Sequence, residues 1–291
     1  MAQRPPKTRA TNPADVVLRA RLREPVRFTD LSERLALKLS ALPGYLSRAH
    51  FDSWHRRLGA PDFDDLSGVF TPLVHVDIEV TDVPLGTRSR FVVRGYNHLA
   101  KALDGRGGVR YLTREGQYTV ATEQGTTVGS ARFVNVFTRY DADPARRRVT
   151  ELPERLGLGK APSRVITWPG LDTLLPGAGR RPDFAESEPR AWHYTQTDAN
   201  RHVNGMEYLR SMEDFVSCAL AGRGHDLRAL FPSRARILYR KPCFRGEGYE
   251  RVAWFRGEAP LTVAGAFRKR GDGPETPPAV AVELTFGTHA A

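Results

Sequence analysis

Two stretches of this chain run through one order of elements, a helix followed by a meander of long strands. That repeat narrows the fold more than any other feature. In the first stretch, residues 44–59 place Tyr45, Leu46, Ala49, Trp54 and Leu58 at helical spacings, behind a Pro43 suited to a helix's first turn. Strand-like runs follow: Leu73 to Val80, which alternates apolar and polar side chains, then Phe91 to Arg94, Val109 to Val120 and Ser130 to Tyr140. Gly86, Gly107, Gly108 and Gly125 punctuate them. The second stretch repeats the order. Trp192 to Thr195 reads as a strand, and Val203 to Leu220 as a helix with Met206, Leu209, Met212, Val216 and Ala219 on one face. Strands are expected over Arg236 to Cys243, Tyr249 to Arg256, Leu261 to Lys269 and Ala279 to Phe286.

A helix plus a strand meander buries its apolar stripe when an antiparallel sheet wraps around the helix, but a single such unit leaves a sheet edge open. Two units side by side close those edges into one continuous sheet. The expected class is therefore α+β, a tandem (double) hotdog in which each half is an antiparallel sheet wrapped around a central helix. The expected boundaries are a tail over 1–30, a first unit over 31–140, a Pro-, Gly- and Arg-rich linker over 141–190, and a second unit over 191–291.

A chain of 291 residues, 40% hydrophobic, is long enough for one large or two ordinary cores. No apolar run is long enough for a membrane helix, and the basic stretch Met1 to Thr11 lacks the apolar segment of a secretory signal. Cys218 and Cys243 are the only cysteines, too few for a disulfide framework, and cytoplasmic residence is expected. The formal charge is +11, with all but six of the 44 basic residues arginine. The arginines are dispersed, which argues against a nucleic-acid footprint and favours an acidic protein or a phosphate-bearing thioester as partner. No metal-ligand cluster or nucleotide-phosphate loop stands out, so no cofactor is expected.

The chemistry concentrates in Thr197-Asp198-Ala199-Asn200-Arg201-His202-Val203-Asn204, which leads into the second helix. A carboxylate, an amide and an imidazole stand at alternate positions, beside a helix N-terminus whose backbone N–H groups can hold an oxyanion. A carboxylate suits a general base or a nucleophile, an amide orients water or a carbonyl, and an imidazole moves protons near neutral pH. The same residues also read as turn formers and helix caps.

Asp198 to Asn204 resembles the Asp-x-Asn-x-His-Val-Asn signature of acyl-acyl-carrier-protein thioesterases, double-hotdog enzymes that release fatty acids from a phosphopantetheine carrier. Tyr239-Arg240-Lys241-Pro242-Cys243 resembles their Tyr-Arg-Arg-Glu-Cys strand, with Pro242 standing in the place of the Glu. The resemblance covers Trp192 to Glu247 well and the first half only in architecture. It implies hydrolysis of an acyl thioester on acyl carrier protein or CoA, in fatty-acid or polyketide metabolism. Asp198, Asn200, His202 and Cys243 are the implied catalytic residues, and Asn204 and Tyr208 the implied substrate contacts. Cys243 also reads as a buried, inert cysteine at a strand end, the first reading of its place in the sequence. In the first half, Ala41 to Gly44 occupies the place of the motif with no Asp or Asn, so this half reads as inactive. Leu46, Phe51, Trp54 and Phe70 are its candidates for the wall of an acyl tunnel or for core. Glu213 and Asp214 read as solvated or paired. Acyl transfer, decarboxylation, dehydration or acyl-thioester binding without turnover remain alternatives on the same fold. The chain is expected to be a monomer with an internal pseudo-dimer, or a homodimer.

Overall fold

The computed structural model describes residues 16–49, 69–139, 141, 143, 146–150, 162–177, 179–198, 201–273 and 275–288. Thirteen strands are described: β1 (Val16–Pro25), β2 (Val69–Phe70), β3 (Leu73–Val80), β4 (Arg90–Leu103), β5 (Val109–Thr122), β6 (Thr127–Val136), β7 (Thr138–Arg139), β8 (Phe184–Ala185), β9 (Arg190–Ala191), β10 (Leu230–Tyr239), β11 (Gly248–Glu258), β12 (Leu261–Lys269) and β13 (Val280–Thr288). Helix α1 covers 42–49, α2 is the single turn Leu171–Leu174, and α3 is Gly205–Gly222.

Eleven strands form one antiparallel sheet in the order β1-β4-β5-β6-β3-β10-β13-β12-β11-β8, with β9 also on β11; β2 and β7 pair separately. The order reads the same from both ends: each half contributes a three-stranded meander, β4-β5-β6 or β11-β12-β13, whose last strand also pairs with the strand that precedes the meander, and β3 meets β10 at the centre. Their pairing runs from Arg234 opposite Glu79 to Leu238 opposite His75. Arg234 grips Asp77 with two hydrogen bonds, Nε to Oδ1 at 2.9 Å and Nη2 to Oδ2 at 2.6 Å, and reaches Glu79 at 3.1 Å.

Strand periodicity sorts the side chains onto two faces. Val76, Ile78, Ala235, Ile237, Val280, Val282 and Leu284 point inward and form one core with Leu42, Leu46, Leu209, Met212 and Val216 from the helices. Met212 lies directly over Gly265 of β12, where a Cβ would stand 2.4 Å from its Sδ, so the glycine lets α3 settle against the sheet. The outer face is covered by the segment between the halves. Ile166 packs on Ala100 and Val134, and Leu174 packs on Leu238 and Ala281. Glu115 is buried between Arg132 (2.5 Å) and Arg164 (2.6 Å); burial pushes its carboxyl up, and the two guanidinium groups outweigh it and hold the carboxyl below its usual range.

Several boundaries differ from the sequence expectation. Residues 16–25 are a strand on β4, not part of a tail. Their apolar positions Ala20 and Leu22 alternate with the exposed Arg19, Arg21 and Arg23, a half-buried strand whose polar side is all arginine. The expected linker enters the second half's sheet through β8 and β9. The strand expected over Trp192 to Thr195 is instead a 3-10 turn at Tyr194–Gln196, which the Gln196 side chain closes by accepting from the His193 N–H at 2.8 Å. β10 ends at Tyr239, before the Pro242 that cannot donate to a ladder. α3 starts at Gly205, two residues later than expected, because Asn204 caps it. Among the runs that match, β3 and β12 agree with expectation to the residue.

The buried pair Glu186–Arg251 ties the entry of the second half to β11, with the Arg251 Nε at 2.9 Å from Glu186 Oε2 and the guanidinium also reaching the Ser211 hydroxyl at 3.1 Å. Burial raises the Glu186 carboxyl, but Arg251 and Arg190 pull it below its usual range. A lowered native pKa gives stability above the unfolded value, lost as the pH falls through the native one. Glu186→Gln should therefore lower unfolding free energy by about 3 kcal/mol near neutral pH, because it leaves a buried guanidinium uncompensated. The deficit should shrink only when denaturant melts are repeated below the ordinary carboxylate value of 4.5.

Candidate functional site

The motif forms a miniature hairpin in front of α3. Thr197 bridges Val203, the Asp198 N–H donates to His202 O at 2.9 Å, and the Arg201 N–H donates to Asp198 O at 2.9 Å. Arg201 takes the left-handed conformation (φ 62°) needed to turn so tightly. The hairpin is pinned on both sides. His202 bridges Phe244, with the two rings 5.0 Å apart, and the Val203 N–H donates to Cys243 O at 2.9 Å. The Asn204 N–H reaches back to Gln196 O at 2.8 Å. Beneath it lies an aromatic anchor: the fully buried Trp192 stacks on Tyr249 at 4.0 Å and meets Tyr208 and Phe267 at 4.9 and 5.6 Å.

The expected residues that are described take these places. Asp198 is exposed in the hairpin, His202 is half-buried beside Phe244, and Asn204 is exposed. The motif's amide, Asn200, lies outside the described residues, as do Phe51 and Trp54 of the expected tunnel wall. Leu46 is core, and the half-buried Phe70 sits on the small β2–β7 pair. Asn204 is the helix cap, its Oδ1 accepting from the Met206 N–H at 3.0 Å. Tyr208, expected as a substrate contact, is buried in the core with its hydroxyl toward Cys243.

The surroundings of Cys243 are those of a buried cysteine. The residue is buried, and burial pushes the thiol above its ordinary range, although the Tyr208 hydroxyl and Lys269 partly offset this. A nucleophilic cysteine needs the opposite, a stabilised and accessible thiolate. With Pro242 in the neighbouring position, this loop supports the hairpin through Cys243 O and Phe244. Iodoacetamide should label the exposed Cys218 in the native protein and leave Cys243 unlabelled until denaturant is added, as read by peptide mass mapping.

Sequence reasoning placed Glu213 on a solvated or paired face. Its Oε1 is instead buried without a hydrogen-bond partner, and the carboxyl is pushed up to about 7 by burial, against the pull of Ser40 from the first half. Spacing carries no sign of this, because the group that buries Glu213 comes from a segment far away in the chain. The sign of the linkage follows: a raised native pKa gives stability present below the unfolded value, near 4.5, and lost as the pH rises to about 7. Glu213→Gln should flatten the fall in melting temperature over that window and leave the protein more stable than wild type above it, as calorimetric scans across pH would show.

No protein-family model and no curated protein sequence matches this chain. Solved structures match its fold, the double hotdog, from end to end. An oleoyl thioesterase from Lactobacillus plantarum superposes with a TM-score of 0.70 at 16% identity, over 96% of this chain and 99% of that one. An acyl-ACP thioesterase from Bacteroides thetaiotaomicron gives 0.66 at 14% identity, over 92% and 98%. A 12:0-ACP thioesterase from Umbellularia californica gives 0.67 at 13% identity, over 93% and 94%.

Proposed function

We propose that the chain is a hydrolase of acyl thioesters and that the Asp198 hairpin is its reacting centre. The observation that carries the reading is an accessible carboxylate held by backbone bonds at the mouth of α3, in a fold shared with three solved thioesterases. Acyl carrier protein or CoA presents the thioester, and the surplus of 44 basic over 33 acidic residues favours either an acidic carrier or a phosphorylated one. The reaction belongs in the cytoplasm, in fatty-acid or polyketide metabolism; no described helix is long and apolar enough to cross a membrane.

Asp198 takes a proton from a water as its oxygen adds to the thioester carbonyl. Asn200 and His202 orient that water and the carbonyl. The developing oxyanion lies at the start of α3, where the capping bond of Asn204 uses the Met206 N–H and the Gly205 N–H is the donor nearest the hairpin. Collapse of the tetrahedral adduct breaks the carbon–sulfur bond, and the departing thiolate recovers the proton from Asp198. Tyr208 and Cys243 take no part in these transfers; they hold the floor of the hairpin.

Release of free thiol from a panel of acyl-CoA and acyl-carrier-protein thioesters tests this. Asp198→Ala should cut kcat by about 10²-fold or more, the usual worth of a positioned acid/base group, with the melting temperature little changed. Equal rates for wild type and Asp198→Ala would end the hydrolase reading.

A further inference from the structure

Two of the three exposed aromatic side chains among the described residues, Tyr194 and Phe244, flank the Asp198 hairpin; the third, Phe28, lies in the first half. Tyr194 is 73% exposed and Phe244 40%. Both rings stand on fixed backbone. Tyr194 opens the 3-10 turn that His193 and Gln196 close, and the Gly246 N–H donates to Trp192 O at 2.9 Å, which ties that turn to the loop after Cys243. Phe244 is bridged to His202, and its N–H donates to Glu247 Oε2 at 3.0 Å. A cation stands over each ring: the Arg245 guanidinium carbon is 5.9 Å from the centre of Tyr194, and Lys269 Nζ is 5.6 Å from that of Phe244.

This rim carries unbalanced positive charge. Arg201 at the hairpin's tip, Lys241 two residues before Cys243, and Arg245 are all exposed. Among the described residues none of the three forms an ion pair with a carboxylate. The nearby Glu207 and Glu247 are already matched, by Arg210 at 2.6 Å and by Lys269 at 2.9 Å.

An open aromatic face with a guanidinium beside it stacks nucleobases, and unmatched Arg and Lys side chains take phosphates. An acyl chain offers neither group. One class of thioester carries both, at the end remote from its sulfur: CoA, whose pantetheine arm leads to adenosine 3′,5′-bisphosphate. Four residues separate Tyr194 from Asp198, so their Cα atoms lie at most about 14 Å apart. The extended pantetheine arm covers that span. A carrier protein brings carboxylates to the cations but no nucleobase to the Tyr194 ring.

We infer that the rim beside the hairpin is the handle site of a CoA thioester: Tyr194 and Arg245 hold the adenine, and Arg201, Lys241 and Arg245 meet the phosphates. This rests on the thioester reading above and selects CoA over a carrier protein. The arm then passes Phe244 and His202 on its way to Asp198, and the acyl group lies beyond the hairpin.

Binding and turnover are read separately. Adenosine 3′,5′-bisphosphate, which has no thioester, is titrated into the protein by calorimetry; it should bind, and Tyr194→Ala and Arg245→Gln should each weaken it by about tenfold, the worth of one stacked base or one charge-assisted hydrogen bond. Hydrolysis of hexanoyl-CoA is compared with that of hexanoyl-pantetheine and of hexanoyl on an acyl carrier protein. Removing the nucleotide should raise KM by about tenfold or more. The two variants should move KM for hexanoyl-CoA toward the hexanoyl-pantetheine value, and Arg245→Lys, which keeps the charge, should recover part of the loss. The substituted side chains are exposed, so melting temperatures should stay at the wild-type value. Equal KM for hexanoyl-CoA and hexanoyl-pantetheine, or variants that impair the carrier-protein thioester alone, would overturn the inference and leave hydrolysis standing. Binding of the bisphosphate with no thioester turned over would keep the nucleotide site and end the hydrolase reading.

Discussion

Backbone pairing between β3 and β10 is the contact on which the rest depends. A meander wrapped on a helix always leaves one strand with unpaired N–H and C=O groups. Here each half's open strand is the other half's partner, with Arg234 locked onto Asp77 and Glu79 across the join. That seam makes one eleven-stranded sheet from two meanders and brings the start of α3 over Leu73 of the other half.

The two halves have diverged around this shared frame. The second keeps a hairpin with a carboxylate and an imidazole, backed by Trp192, Tyr208, Tyr249 and Phe267. The first has Ala41 to Gly44 at the matching place and has instead accumulated polar residues under its sheet. Glu213 shows how closely the units are joined, since a side chain on α3 is raised by burial and pulled back by Ser40 of the other half.

Features governed by neighbours in the chain could be read from the residues. The alternation of Leu73 to Val80 and the pattern of Leu261 to Lys269 located β3 and β12, and the Asp198 to Asn204 spacing located the turn before α3. Features governed by distant partners could not. Cys243 looked able to react because its motif resembled one that does, yet Trp192 and Tyr208 close over it. Tyr208 lay on a motif and turned out to face the core. Val16–Pro25 looked like a charged tail until β4 supplied its hydrogen-bonding partner.

Sequence alone therefore located most of the long strands, the second helix, their repeated order and the acid-bearing turn before α3, because periodicity, glycine placement and capping act within a few residues. Tertiary structure alone decided which side chains are dry. It buried Cys243, raised Glu213 and placed Arg114 inside the first half, because burial is imposed by strands and helices from elsewhere in the chain, and burial governs what a polar side chain can do.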